Sequence, residues 1–180
     1  MRQFLLVFAA LALLSGGAIA AQTDTTTEPY PGIRHVHRID TDAPWDIDVV
    51  IIDTPPGMPE TTYAAAMVAD LLLLPCGPSP LDLFALKEAL ALALDARAQR
   101  RSKKPRIRFV PSRINLATNL GRGLSGRLEN MGKKLLPGIS QRVILAEAVD
   151  EGLTISEFAP NSPSHSEFHA LAKAALKVTS

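Results

Sequence analysis

The residues best placed to do chemistry lie in one stretch, Asp48-Val49-Val50-Ile51-Ile52-Asp53-Thr54-Pro55-Pro56-Gly57. Four consecutive β-branched apolar residues, Val49 to Ile52, predict a short strand buried on both faces, as inside a parallel sheet. Asp53 and the Thr54 hydroxyl follow at the carboxyl end of that strand, and Pro55-Pro56-Gly57 turns the chain. Open α/β sheets bind ligands at the carboxyl ends of their strands, so Asp53 stands where a metal ion or a phosphate is handled. The alternative is that Asp53 only caps the turn.

Charge forms a second constellation. The formal net charge is only +1, yet thirteen of the nineteen Lys and Arg residues fall between Arg97 and Arg142. Glu129 is the one acid among them, so the segment carries +12. Clustered cations without base-reading groups suit the phosphate backbone of a nucleic acid. Lys103, Lys104, Arg106, Arg122, Arg127, Lys133 and Lys134 are the candidates, provided that folding brings them to one face; the alternative is an ordinary solvated basic face. Cys76 is a single cysteine, which excludes an intramolecular disulfide, and its place after an apolar run reads as core. His35 and His37 form a His-x-His, and His165 and His169 an i,i+4 pair. No further Cys or His stands nearby at metal-site spacing, which favours solvated or capping histidines.

These groups need a scaffold. Hydrophobic residues make up 47% and aromatics 5%, which predicts one globular domain with aliphatic packing. Glu60 to Asp70 is helical by composition, and Leu71 to Leu74 is a second buried strand. Ser79-Pro80-Leu81-Asp82 opens a helix running to about Gln99, with a serine N-cap, a first-turn proline and a first-turn acid. Ile107 to Val110 is a third strand. A glycine-interrupted helix is expected over Asn119 to Lys134, a short edge strand at Ile139-Ser140, and a helix over Arg142 to Glu151 stopped by Gly152. Thr154 to Phe158 reads as a strand or an extended lead, and Ser164-His165-Ser166-Glu167 as a capping box opening the last helix. Strands alternating with helices imply an α/β domain with a mostly parallel sheet.

The run from Asp48 through Leu94, with the motif ending at Gly57 and with Ala69-Asp70-Leu71-Leu72-Leu73-Leu74-Pro75, resembles the ParA/MinD-type partition ATPases. The likeness continues through Pro78-Ser79-Pro80-Leu81-Asp82-Leu83, Arg113-Ile114-Asn115, Gln141-Arg142, Glu147-Ala148, Glu151-Gly152 and Ala159-Pro160-Asn161-Ser162, over roughly residues 46 to 178. The resemblance implies a P-loop NTPase-like sheet flanked by helices, with ATP and Mg²⁺ as cofactors. Asp53 would hold Mg²⁺ through water, Thr54 and Pro55 would begin a nucleotide-sensing switch, and Arg113 would contribute to the adenine pocket. It also implies non-specific DNA binding, a homodimer, a centromere-binding partner and a cytoplasmic location. Two departures stand out. Ser112 replaces the Asn that precedes this Arg in the family, and no G-x-x-x-x-G-K-[ST] occurs, Ser15-Gly16-Gly17-Ala18 lacking the lysine. The expected fold therefore lacks the first strand, phosphate loop and helix, and no ATP hydrolysis by the chain alone is expected.

Residues 1–21 look instead like a secretory leader. Arg2 supplies the positive charge, Phe4 to Leu14 the apolar run, and Ala18-Ile19-Ala20 a small-x-small cleavage site. The run is too short for an ordinary membrane span. The alternative is that Phe4 to Ala12 is a strand and helix start of the domain itself. Residues 22–45 read as a polar linker, and 46–178 as the α/β domain. Two functional expectations follow: a truncated or degenerate ParA-like partition protein on DNA, or an exported, non-catalytic α/β interaction module.

Overall fold

The computed structural model describes residues 3–7, 49–54 and 59–179. Its centre is a four-stranded, all-parallel sheet of β1 (Gln3–Val7), β2 (Val49–Asp53), β3 (Leu71–Cys76) and β4 (Arg106–Pro111), in the order β2-β1-β3-β4. Helices α1 (Pro59–Val68), α2 (Pro80–Gln99), α3 (Asn119–Arg122), α4 (Leu124–Glu129), α5 (Val143–Asp150), α6 (Ile155–Phe158) and α7 (Pro163–Thr179) complete the domain. The α/β architecture with a parallel sheet flanked by helices agrees with the sequence reading.

Strand alternation divides the core between two faces. Leu72, Leu74, Cys76, Ile107 and Phe109 pack with Ala65, Ala66 and Ala69 around α1, with Leu86, Ala93 and Ala96 of α2, and with Leu124 and Leu128 of α4. Leu71, Leu73 and Val110 point the other way, onto Ala175 and the half-buried Leu171, Ala174 and Val178 of α7. Each fully buried leucine of β3 contributes about 1.5–3 kcal/mol relative to exposure, so this strand anchors both layers. The alanines let α2 lie close to the sheet.

Two expectations at the N-terminal side are corrected. Gln3–Val7 pairs with β2 on one side and β3 on the other, so the first-strand position is filled and β2 has a neighbour. A parallel apolar strand satisfies its backbone groups there, as the reading of Phe4 onward as a domain strand anticipated. Residues 8–48 lie outside the described residues, and with them the leader's cleavage site and the linker. Nor is β2 buried on both faces: it is the edge of the sheet among the described residues, and Ile51 is 64% exposed.

Other differences are local. Gly123 splits the expected helix over 119–134 into α3 and α4. Ile139-Ser140 forms only a single parallel bridge, Ser140 to Ile114. Thr154 to Phe158 is a helical turn, because Thr154 Oγ1 accepts from the Glu157 amide at 3.3 Å while the Glu157 carboxylate accepts from the Thr154 amide at 2.9 Å. The last helix starts at Pro163; Ser162, not Ser164, caps it, accepting from the His165 amide at 3.1 Å. Ser164 is wholly buried. Among the described residues no helix is long and apolar enough to cross a membrane.

Candidate functional site at the carboxyl edge of the sheet

Asp53 closes β2 with its side chain in solvent, and Thr54 is buried directly behind it. Among the described residues Thr54 Oγ1 has no hydrogen-bond partner. A buried hydroxyl left unpaired costs free energy that a ligand or water can return, so carboxylate and hydroxyl together suit the water shell of a divalent cation. Pro55 lies outside the described residues.

At the far side of the same edge, β3 ends in Cys76 and Gly77. Burial, reinforced by the Asp82 carboxylate and partly offset by Arg113 and Arg127, pushes the Cys76 thiol up to about 11. It is therefore a protonated core residue, donating to the Gly77 carbonyl at 3.3 Å. Ser79 caps α2 as the sequence predicts: its Oγ accepts from the Asp82 amide at 3.1 Å, and the Asp82 carboxylate accepts from the Ser79 amide at 3.2 Å. The other oxygen of that carboxylate accepts from Arg113 Nη2 at 2.7 Å. Asp82 thus does two things, holding the helix start and aiming Arg113. Arg113 needs holding, because its φ of 53° lies in the left-handed region that L-residues avoid. Gly77 makes room: a Cβ there would collide with the Arg113 guanidinium and reach 2.5 Å from Asp82 Oδ2. Ser112, at the family's Asn position, donates its hydroxyl to the Val110 carbonyl at 3.2 Å.

The two halves stand apart. Asp53 is in register with Val7, Leu73 and Arg108 across the sheet, and Arg113 lies beyond β4. Strand spacing and rise put their Cα atoms on the order of 20 Å apart. Both belong to one edge, but no described contact joins them.

The candidate cations are spread over both ends of β4. Lys103, with φ 56°, and Lys104 lie in the turn before β4, at the opposite end of the sheet from Arg113. Lys104 Nζ is paired with Asp70 at 2.7 Å. Arg106 opens β4 and donates to the Val178 carbonyl. Arg122 and Arg127 lie beyond the carboxyl end and serve the backbone: Arg122 donates to the Leu116 carbonyl at 2.8 Å, and Arg127 to the carbonyls of Gly123, Pro78 and Leu120. Lys133 and Lys134 line a shallow open groove with Glu129, Gly132 and Leu135, and the Lys134 carbonyl accepts from the Phe109 amide at 3.1 Å. Folding therefore strings these residues along β4 rather than gathering them in one patch. Sequence reasoning counted Arg97 and Arg108 within the basic segment without naming them as DNA-contacting candidates. Burial first, then the neighbouring Arg106 and Arg97, lowers the Arg108 guanidinium below its usual value, which marks this part of β4 as locally cation-rich. The only signal for it was the strand alternation that puts Arg106 and Arg108 on one face.

A parallel sheet between helix layers, with a carboxylate and a hydroxyl ending one strand and a held arginine beyond another, defines an α/β domain whose polar groups lie at the carboxyl edge of the sheet. The chain resembles the ParA/MinD-type partition ATPases in the order of its motifs, and it is similar to several known proteins. It is 26% identical over 110 residues to maintenance of carboxysome distribution protein A of Halothiobacillus neapolitanus, covering 60% of this chain and 50% of that protein. It matches the crystal structure of a plasmid partition protein from Borrelia burgdorferi at TM-score 0.53 and 17% identity, over 75% of this chain and 48% of the other. A plasmid partition protein from Borrelia burgdorferi B31, bound to AMPPNP, matches at TM-score 0.59 and 19% identity, over 76% and 52%. The chain thus spans about half the length of these proteins. No protein-family model matches it.

Proposed function

We propose that the chain is a ParA-like positioning protein that rests on DNA without reading its sequence. What supports this reading is the excess of charge from Arg97 to Arg142, thirteen cations against Glu129 alone, strung along β4 and its ends rather than gathered on one face, on a fold shared with plasmid partition proteins. Asp53 and Thr54 fit the metal side of a Mg²⁺–nucleotide site, and Arg113, aimed by Asp82, fits its base side. Such a ligand would supply the signal that sets the turn after Thr54. The sequence offers no Gly-rich lysine loop to cradle the phosphates, so no phosphoryl-transfer step is assigned to these residues. A homodimer and a centromere-binding partner belong to the same reading.

A gel-shift titration with duplex DNA of unrelated sequences, at two salt concentrations and with and without ATP, tests it. Engaging about four phosphates predicts a slope near −3.6 for log K against log salt, with affinity no tighter than roughly micromolar at physiological salt. Lys103→Ala with Lys104→Ala should shallow the slope by up to about two units. No shift at the lower salt overturns the DNA reading.

A further inference from the structure

The two histidines of α7 are better placed than their spacing suggests. His165 and His169 sit one turn apart on the same helix face, their ring centroids 6.3 Å apart and their planes 21° from parallel. His165 Nδ1 lies 3.0 Å from Ser156 Oγ of α6, which occupies one ring nitrogen and fixes the ring. In the tautomer that donates Nδ1–H to Ser156 Oγ, the lone pair of Nε2 is left for a ligand; metal-binding histidines commonly carry this kind of outer hydrogen bond. His165 is half-buried and His169 exposed, so one ring is braced and the other is free to rotate into place.

We propose that His165 and His169 chelate one divalent transition-metal ion through two imidazole nitrogens, with water in the remaining positions and Ser156 as the positioning residue. Nothing in this depends on nucleotide or DNA binding. Among the described residues no group of three or more His, Cys, Asp or Glu could hold a metal, so the site is open and exchangeable rather than a closed structural centre. Imidazole selects Cu²⁺, Ni²⁺ and Zn²⁺ over Mg²⁺ and Ca²⁺, and the order of affinity should place Cu²⁺ above Ni²⁺ and Zn²⁺.

The test is calorimetric titration of the full chain with Zn²⁺, Cu²⁺ and Mg²⁺, with helix content followed by circular dichroism. One equivalent of Zn²⁺ should be lost in His169→Gln, whose exposed side chain makes no described contact needed for folding. Ser156→Ala should bind about tenfold more weakly or worse, and the double variant His35→Gln, His37→Gln should keep the site. The proposal is overturned if the full chain takes up no Zn²⁺, if His169→Gln binds as well as the parent, or if the His35/His37 variant is the one that loses the ion.

Discussion

Thr54 and Gly77 show how much single side chains decide at this edge. Thr54 Oγ1 is buried and, among the described residues, unpartnered, so Thr54→Val, close in shape, should raise the stability of the ligand-free protein by about 1 kcal/mol. If the hydroxyl faces a Mg²⁺–nucleotide, the same variant should lose any nucleotide-induced rise in Tm; thermal melts with and without Mg²⁺ and a nucleotide read both effects. Gly77→Ala drives a methyl into the Arg113–Asp82 pair and should cost about 1–3 kcal/mol in urea denaturation. A cost no larger than that of an exposed Gly→Ala change would show that the pair yields freely. The position of Asp53 at the end of β2 was legible in the sequence, because the β-branched apolar run breaks off there at a carboxylate and a Pro-Pro-Gly segment. The Asp82–Arg113 pair was not: the partners are 31 positions apart, and Asp82 already had a complete role as a helix-start acid.

The start of α2 was the most readable element. Ser79-Pro80-Leu81-Asp82 gives the α2 start and its cap correctly, since every local preference there agrees. The misreading of Thr154 to Phe158 has the opposite cause: two apolar residues in five fix no period, although Thr154-x-x-Glu157 carried a capping box. That box makes α6 sensitive to acid. Its hydrogen bonds to Thr154 hold the Glu157 carboxyl below its usual range. The stabilisation is therefore complete above the unfolded-state value and is lost as pH falls through the lower folded value. Amide exchange across residues 154–158 should accelerate as pH falls below the usual carboxylate range, after correction for intrinsic rates, and Glu157→Gln should remove most of that pH dependence. Parallel behaviour of the two proteins would mean that the box contributes nothing. The reading of β2 as doubly buried failed because four apolar residues say nothing about how many helices cover them; Ile51 remains open to solvent.

On the scale of the whole molecule, β1 joins two parts that otherwise do not pair. β2 has no described strand neighbour except β1, whereas β3 pairs with both β1 and β4. A chain beginning at residue 22 would lose β1 and leave two apolar strand edges without partners, which invites association. Residues 22–180 should therefore melt at lower temperature than the full chain and form concentration-dependent oligomers by light scattering; a sharp monomer of unchanged Tm would show that β1 is dispensable. The basic stripe along β4 lies at the other edge of the sheet, so charge and β1 can be varied separately. Composition alone revealed the charge asymmetry. Its layout depended on β4, whose carboxyl-end neighbours Arg122 and Arg127 are taken up by backbone carbonyls.

The central place of β1 also has a kinetic side. During synthesis, β1 emerges some sixty-five residues before β3, its second partner, which at about 5–20 residues per second is a delay of roughly 3 to 13 s. Until β2 and then β3 have been made, the apolar segment from Phe4 onward lacks its strand partners and is available to any factor that captures nascent apolar segments. Its pairing in the sheet is then a race between capture and the arrival of Leu71–Cys76. Lengthening the stretch between β1 and β2 would tilt that race towards capture without changing a single contact in the finished sheet.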